Sequence, residues 1–168
     1  MYSKKTWQDK MAGKNGVPKI LTLEKKFPCF NTVSKMGAKE GDKCVLVNPK
    51  EVEEIMMSVP KGKLATLKEI SLKLAKKYNV KACCTLTAGI FTMIAANTSE
   101  EMKSLGKENN NPYWRTLKID GYLNPKYPGG QEAQKKLLEI EGFTIIKKGK
   151  NYKAVSYTHL TLPTILRV

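Results

Sequence analysis

The spacing of apolar and polar residues predicts consecutive helices in the middle of the chain, and the first two have clear starting signals. Asn48 is a predicted N-cap, and the helix that follows over residues 49–59 begins with a proline, which suits the first helical position. Thr66 and Glu69 make a capping box, after which apolar residues recur at helical spacing over residues 67–78. Both segments are therefore predicted as amphipathic helices.

A third helix is predicted from near Thr85 to Ala96, with Asn97 ending it because asparagine tolerates left-handed geometry. The polar residues 99–111 are predicted as a short helix and a loop. Two helices joined by a short turn make a candidate helix-turn-helix, although most such pairs in soluble proteins are only packing units.

The rest of the chain predicts strands as well as helices. A short strand is expected at residues 45–47, a turn at Asp120-Gly121, and a last helix over Gln131 to Glu141 that Gly142 stops. Residues 143–146 and Tyr152 suit a terminal hairpin. Together these elements predict a mixed α/β fold that is mainly helical.

Composition divides the chain into three parts. Residues 1–47 are rich in lysine and broken by glycine and proline, which predicts a basic N-terminal arm or irregular segment; residues 48–155 hold the predicted domain. Residues 156–168 break the lysine-rich character and look like a translated sequencing adaptor. The natural chain is therefore expected to end near Val155.

Positive charge is the strongest signal in the composition. The chain has 30 Lys and Arg against 15 Asp and Glu, and the surplus is +14 without residues 156–168. Residues 1–50 carry 11 basic and 4 acidic side chains, residues 112–155 carry 9 and 4, and residues 82–99 carry none. Basic flanks around a neutral segment favour a surface that follows phosphates.

Other function classes are disfavoured. No signal peptide, apolar run of membrane-spanning length or amphipathic basic helix is present, so no membrane partner is expected. The four cysteines lack zinc-site spacing, which favours a reducing cytoplasm with neither disulfides nor a bound metal. No cofactor is predicted.

Several motifs occur in the order and spacing found in the alkylguanine-DNA alkyltransferases. The string Val59-Pro-Lys-Gly-Lys-Leu-Ala-Thr-Leu-Lys-Glu-Ile70 resembles the opening of the helix-turn-helix of that family, and Ala95-Ala-Asn97 resembles the end of its recognition helix. The active-site motif, substrate loop and closing helix are resembled by Pro112-Tyr-Trp-Arg115, Asp120-Gly121, Tyr127-x-Gly-Gly130 and Lys136-Leu-Leu-Glu-Ile-Glu-Gly142. The resemblance covers residues 60–142 and implies an alkyltransferase-type domain that binds double-stranded DNA.

The resemblance does not extend to the residues that carry out alkyl transfer in the family. In the family a cysteine accepts the alkyl group, a histidine activates it and a glutamate orients the histidine; here Tyr113, Trp114 and Glu141 hold those positions. A phenol with a pKa near 10 is a poorer nucleophile than a thiol near 8.5. The single histidine, His159, lies in the adaptor-like segment. The chain is therefore predicted to bind DNA without catalysis.

Members without the cysteine are the alkyltransferase-like proteins, which bind alkylated DNA and pass it to nucleotide-excision repair. The resemblance thus implies a lesion-binding protein on the cytoplasmic nucleoid, with nucleotide-excision-repair proteins as partners. It also implies two departures. Leu67 replaces the tyrosine that helps to rotate the target nucleotide, and Ala88 replaces the arginine that fills the vacated base stack.

The candidate site residues form three sets. The predicted lesion or base pocket consists of Tyr113, Trp114, Tyr127 and Gly129. The predicted DNA-binding residues are Lys61, Lys63, Leu67, Lys68, Ala88, Gly89, Asn97 and Arg115. Gly130 and Glu141 are matched to structural positions of the family.

Some of these residues have two interpretations. Tyr113 and Trp114 line a base pocket or plug the former active site, and Arg115 contacts phosphate or fastens the loop to a helix. Glu141 keeps an active-site role or is a solvated charge at a helix end. Two other functions stay open: an alkyltransferase that uses another cysteine, for which Cys83 and Cys84 are the candidates, and an interaction module that has lost DNA binding.

Overall fold

The computed structural model describes residues 4–13 and 15–155. The adaptor-like segment 156–168, including His159, lies outside these residues. The helices are α1 (Trp7–Met11), α2 (Phe30–Lys35), α3 (Pro49–Met57), α4 (Leu67–Lys77), α5 (Thr85–Ser104) and α6 (Gly130–Ile140). The strands are β1 (Lys19–Thr22), β2 (Lys43–Leu46), β3 (Ala65–Thr66), β4 (Ala82–Cys83), β5 (Thr116–Leu117), β6 (Thr144–Lys148) and β7 (Asn151–Val155).

The fold is mixed α/β and mainly helical, as predicted, and its sheets are small. In the first sheet, β2 pairs with β1 in antiparallel orientation and with β4 in parallel orientation. β3 pairs with β5 in parallel. β6 and β7 form the predicted antiparallel terminal hairpin, with Ile145 opposite Ala154.

The starts of α3 and α4 are fixed by local hydrogen bonds. The Asn48 side chain accepts from the Glu51 backbone at 3.2 Å, and the Glu51 carboxylate accepts from the Asn48 backbone at the same distance. The Thr66 backbone donates to the Glu69 carboxylate at 2.6 Å. Both capping predictions are confirmed, because each depends on residues only three positions apart.

Helix α5 is longer than predicted. It does not end at Asn97 but continues to Ser104, so part of the predicted separate short helix belongs to it. The Asn97 amide donates to the Met93 carbonyl at 2.9 Å, which satisfies the side chain inside the helix. The Glu101 carboxylate accepts from the backbone of Trp7 at 3.1 Å, so the added turn also holds the start of α1.

The prediction of an irregular arm over residues 1–47 is wrong for the residues that the structure describes there. They form α1, β1, α2 and β2. Together with Ala82 and Cys84, apolar side chains of this segment build a separate cluster, to which it contributes Leu23, Cys29, Val33, Ala38 and Cys44. The elements were missed because each is too short to show a period, and the contacts that hold them lie far apart in sequence.

The segment that resembles the family active-site motif lies between two other apolar clusters. The main core joins α3, α4 and α5 and contains Tyr113 and Tyr127. A smaller cluster beside α6 and the hairpin contains Leu117 and Leu138, and Trp114 packs against both clusters. The motif is therefore held in place from both sides.

Candidate nucleic-acid interface

The structure brings the predicted pocket residues Tyr113, Trp114 and Tyr127 together, but it packs them against one another. Tyr113 is 3% exposed and Tyr127 4% exposed. The Tyr113 ring meets the Tyr127 ring edge-on with centroids 5.5 Å apart, and it meets Trp114 in the same way at 5.5 Å. The rings of Tyr113 and Tyr127 are therefore packed inside the protein, an arrangement that favours the plug interpretation over the pocket interpretation.

Both tyrosine hydroxyls have protein partners. The Tyr113 hydroxyl donates to the Glu100 carboxylate at 3.0 Å, and the Tyr127 hydroxyl donates to the Thr116 carbonyl at 3.1 Å. Burial raises the pKa of the Tyr113 phenol well above its ordinary value, and the Glu100 charge raises it further. Tyr113 is thus a poorer nucleophile here than a free phenol would be.

Arg115 and Glu141 form a largely buried ion pair that joins the active-site motif to the end of α6. The Arg115 Nε and Nη2 atoms donate to the Glu141 carboxylate at 3.0 and 2.7 Å, and Nη1 donates to the Val59 carbonyl at 2.8 Å. The Trp114 indole N–H donates to Glu141 at 3.0 Å. Arg115 therefore fastens the loop, and its donors point into the protein rather than toward a phosphate.

The interpretation of Glu141 as a solvated helix-end charge is wrong. Burial raises the pKa of its carboxyl, but the hydrogen bonds from Arg115 and Trp114 outweigh burial and leave the pKa below its ordinary value. The glutamate that would orient a catalytic histidine in the family instead binds the two residues beside Tyr113.

The predicted glycines act through their backbone. Gly129 has φ +73° and Gly130 has φ +71°. A Cβ atom on Gly129 would lie 2.6 Å from the Cβ of Ala133, so a side chain is excluded there at the start of α6. Gly129 is exposed and is placed outside the tyrosine cluster by this turn.

Among the predicted DNA-binding residues, the lysines and Ala88 differ most in their exposure to solvent. Lys61 and Lys68 are exposed and Lys63 is half-buried. Ala88 is fully buried on the core side of α5, so it cannot contact DNA, and the prediction for this residue is wrong. The sequence match placed it at a recognition position, but the helix turns this residue inward.

Leu67 and Gly89 line an open groove, whereas Asn97 does not. Leu67 packs over Gly89, where an added Cβ would meet its Cδ2 at 3.3 Å. The Asn97 amide also donates to the Lys126 carbonyl at 3.2 Å, which ties the loop before α6 to α5. One wall of the groove is α5 together with Leu67, the opposite wall consists of residues 117–119 and 124–126, and Pro28, Cys29 and Thr32 also line it.

The groove has a volume of about 360 Å³ and a distinctive lining. Leu86, Ile90 and Met93 line it from α5, and Lys118 and Lys126 line it from the opposite wall. Among the described residues that line it, none is acidic. Sequence analysis missed Leu86, Ile90, Lys118 and Lys126, because apolar residues at helical spacing predict a core face and isolated loop lysines carry no pattern.

Three of the four cysteine thiols, those of Cys29, Cys44 and Cys83, are buried groups with raised pKa values. All four are free and buried. Burial raises the pKa of Cys29 to about 12 and that of Cys44 to about 11, and it raises the pKa of Cys83 further. A thiol with such a pKa is almost entirely protonated at pH 7, so these residues do not replace the missing nucleophile.

Other kinds of site are not found in the described part of the chain. Within residues 4–13 and 15–155, no three His, Cys, Asp or Glu side chains come together as metal ligands. None of the described helices combines the length and the apolar character needed to cross a bilayer.

Comparisons with known proteins give one likeness to a solved structure. No protein-family model and no curated protein matches the chain. The structure of S. pombe Atl1 in complex with damaged DNA containing O6-carboxymethylguanine is similar at 24% identity, with a TM-score of 0.41. The match covers 70% of this chain and 91% of the other. A likeness at this level does not identify the ligand or the activity of this chain.

The Arg115–Glu141 pair predicts a pH-dependent contribution to stability. Glu141→Gln removes the charge that Arg115 and Trp114 bind, and we expect it to lower the free energy of unfolding at pH 7 by roughly 2–4 kcal/mol. Because the folded-state pKa of Glu141 is below its unfolded value, its contribution is complete above the unfolded pKa, near 4.3, and is lost as the pH falls through the folded pKa. Urea unfolding between pH 7 and 3 measures the difference.

Glu139→Gln is the matched control. Glu139 lies on the exposed face of the same helix and pairs with Lys135 at 3.1 Å. We expect that variant to stay within about 0.5 kcal/mol of the parent protein. Equal effects of the two substitutions, or a Glu141→Gln deficit that persists unchanged at pH 3, would contradict the assigned ion pair.

Proposed function

We propose that the protein is an alkyltransferase-like protein that binds double-stranded DNA without catalysing alkyl transfer. The observation that carries the proposal is the groove beside α4 and α5, which has Lys118 and Lys126 in its lining and no acidic residue among those described. It belongs to a chain with a net charge of +15. Such a surface suits the phosphates of a duplex.

Two exposed lysines near the start of α4 do not line the groove but add positive charge to the protein surface. Lys68 lies on the first turn of α4, and Lys61 lies in the turn before β3. Lysine ammonium groups contact phosphates without reading bases, so these residues supply affinity and not sequence preference. The designation of α4 and α5 as a helix-turn-helix is part of the proposal.

The absence of catalysis follows from the residues at the family's reactive position. Tyr113 is buried, and its hydroxyl donates a hydrogen bond to Glu100. The pKa of its phenol is raised. Trp114, at the position of the activating histidine, has an indole N–H that donates to Glu141 and offers no base. The burial of Cys83 and Cys84, together with the raised pKa of Cys83, disfavours the alternative in which another cysteine accepts the alkyl group.

The proposal includes only weak recognition of alkylated guanine. Extruding a base costs a few kcal/mol, which a protein recovers by filling the gap and holding the base. Tyr113 and Tyr127 are themselves buried in the protein. Ala88 is also buried, so its side chain cannot fill a gap in a base stack. Transfer of a lesion to nucleotide-excision-repair proteins, and a location on the cytoplasmic nucleoid, are implied by the resemblance and remain proposals.

An interaction module is the second candidate, because the groove also presents the exposed apolar residues Leu86 and Ile90. The two candidates differ in salt dependence. Phosphate binding releases counterions and weakens steeply with salt, whereas an apolar peptide interface does not.

The first prediction of this proposal is that no alkyl group moves to the protein. After incubation with a duplex that contains O6-alkylguanine, intact-protein mass spectrometry should show an unmodified chain. The same chain treated with a thiol-alkylating reagent in denaturant is the positive control, because all four thiols are then accessible. A stoichiometric adduct on any residue after the duplex incubation would overturn the non-enzymatic assignment.

The second prediction concerns the lysines of the groove. If about five phosphates are neutralised, the logarithm of affinity should fall against the logarithm of salt with a slope of about −4 to −5. Lys118→Gln and Lys126→Gln together should reduce that slope by about 1.8, since each phosphate contact contributes roughly 0.9. Fluorescence anisotropy with a labelled duplex measures both values.

Lys148→Gln is the control for these variants. Lys148 is exposed at the end of β6 on the terminal hairpin and does not line the groove. We expect it to leave the slope unchanged. A slope that responds equally to Lys148→Gln would place the duplex elsewhere, and salt-independent binding would favour the interaction module.

A further inference from the structure

Helix α5 carries two large apolar side chains that the protein leaves uncovered. Leu86 is 51% exposed and Ile90 is 44% exposed. They are four residues apart, so they lie on the same face of the helix, about one turn from each other. Both line the groove described above.

Helix α5 is held firmly against the core beneath these side chains. Ala88, between them in sequence, is fully buried in the main core, and Leu67 packs over Gly89. These contacts hold α5 against the core, so the apolar pair is presented on a helix whose opposite face is anchored. A protruding side chain on an anchored helix can press into a partner without first being ordered.

The described charged residues that line the groove beside Leu86 and Ile90 are all positive. Residues 82–99 carry no charge, so α5 itself does not repel an anion at this point. Lys118 and Lys126 face the pair from the other wall of the groove. An apolar projection flanked by cations suits a partner with an apolar interior and an anionic exterior.

Duplex DNA fits these features better than a peptide does. Its stacked bases are apolar and its phosphates flank each base step, and proteins insert Leu, Ile and similar side chains between steps while cations bind the backbone. The positive surplus also extends over residues 1–50 and 112–155, which is more charge than a short acidic peptide would neutralise.

We propose that Leu86, backed by Ile90, enters the base stack of duplex DNA as a wedge that unstacks one base step and bends the duplex. This inference rests on the proposed DNA-binding function and specifies how the bound duplex is deformed. Lys118 and Lys126 bind the phosphates across the groove while the wedge is in place.

The experiment uses the full chain and duplexes with 2-aminopurine placed at successive positions, because the fluorescence of this base rises when it is unstacked. Anisotropy at several salt concentrations first establishes saturation. The full chain should raise the fluorescence several-fold at one or two adjacent positions. Leu86→Ala should abolish most of that rise and weaken binding about tenfold, while the salt slope stays unchanged because no charge is altered.

Two variants separate a wedge from general loss of apolar surface. Leu86→Met restores a long apolar side chain and should recover most of the fluorescence rise. Ile140→Ala removes an apolar side chain that is 81% exposed on α6, and it should behave as the parent protein. Circular dichroism melts confirm that each variant is folded, which is expected because both positions are exposed.

The outcomes distinguish the wedge from DNA binding itself. Salt-dependent binding with no 2-aminopurine rise at any position, or with the same rise in Leu86→Ala, overturns the wedge and leaves DNA binding intact. Absence of binding to any duplex at low salt overturns the proposed function, and with it the wedge. A rise that depends on Leu86 and not on Ile140 supports the inference.

Discussion

The ion pair between Arg115 and Glu141 is the interaction on which the positions of Tyr113 and Trp114 depend. It joins the end of α6 to the motif at residues 113–115, and the third contact, from Arg115 to the Val59 carbonyl, adds the end of the α3 segment. Two charges removed from water must be fully paired, or the unpaired charge destabilises the fold. With this pair in place, the rings of Tyr113 and Trp114 have fixed positions.

The residues packed around the motif at 113–115 therefore have structural roles. Tyr113 and Tyr127 pack edge to face and satisfy their hydroxyls within the protein, and Glu141 binds Arg115 and Trp114. None of these groups is left to accept a proton or an alkyl group. What remains for a partner is the outer surface, where lysines and two uncovered apolar side chains lie along α5 and the loop before α6.

Local signals in the sequence were sufficient where structure is local. The capping boxes at Asn48 and Thr66 depend on residues three positions away, and both helices begin as predicted. The end of α5 was mispredicted because Asn97 bonds within the helix and across to Lys126, which is 29 positions away. The prediction of an arm over residues 1–47 is wrong for the described residues, because their apolar cluster depends on distant partners such as Ala82 and Cys84. The groove could not be predicted from the sequence for the same reason. The placement of loops, and not a periodic pattern, brings Lys118 and Lys126 opposite Leu86.

The most direct test of the account is a titration of two matched duplexes, one with O6-alkylguanine and one with guanine, each at two salt concentrations. The account predicts that both bind, that both weaken as salt rises, and that their affinities differ by no more than about tenfold, or 1.4 kcal/mol. Failure of both duplexes to bind at low salt would contradict it. So would a preference above a hundredfold for the alkylated duplex, because the rings of Tyr113 and Tyr127 are buried against each other.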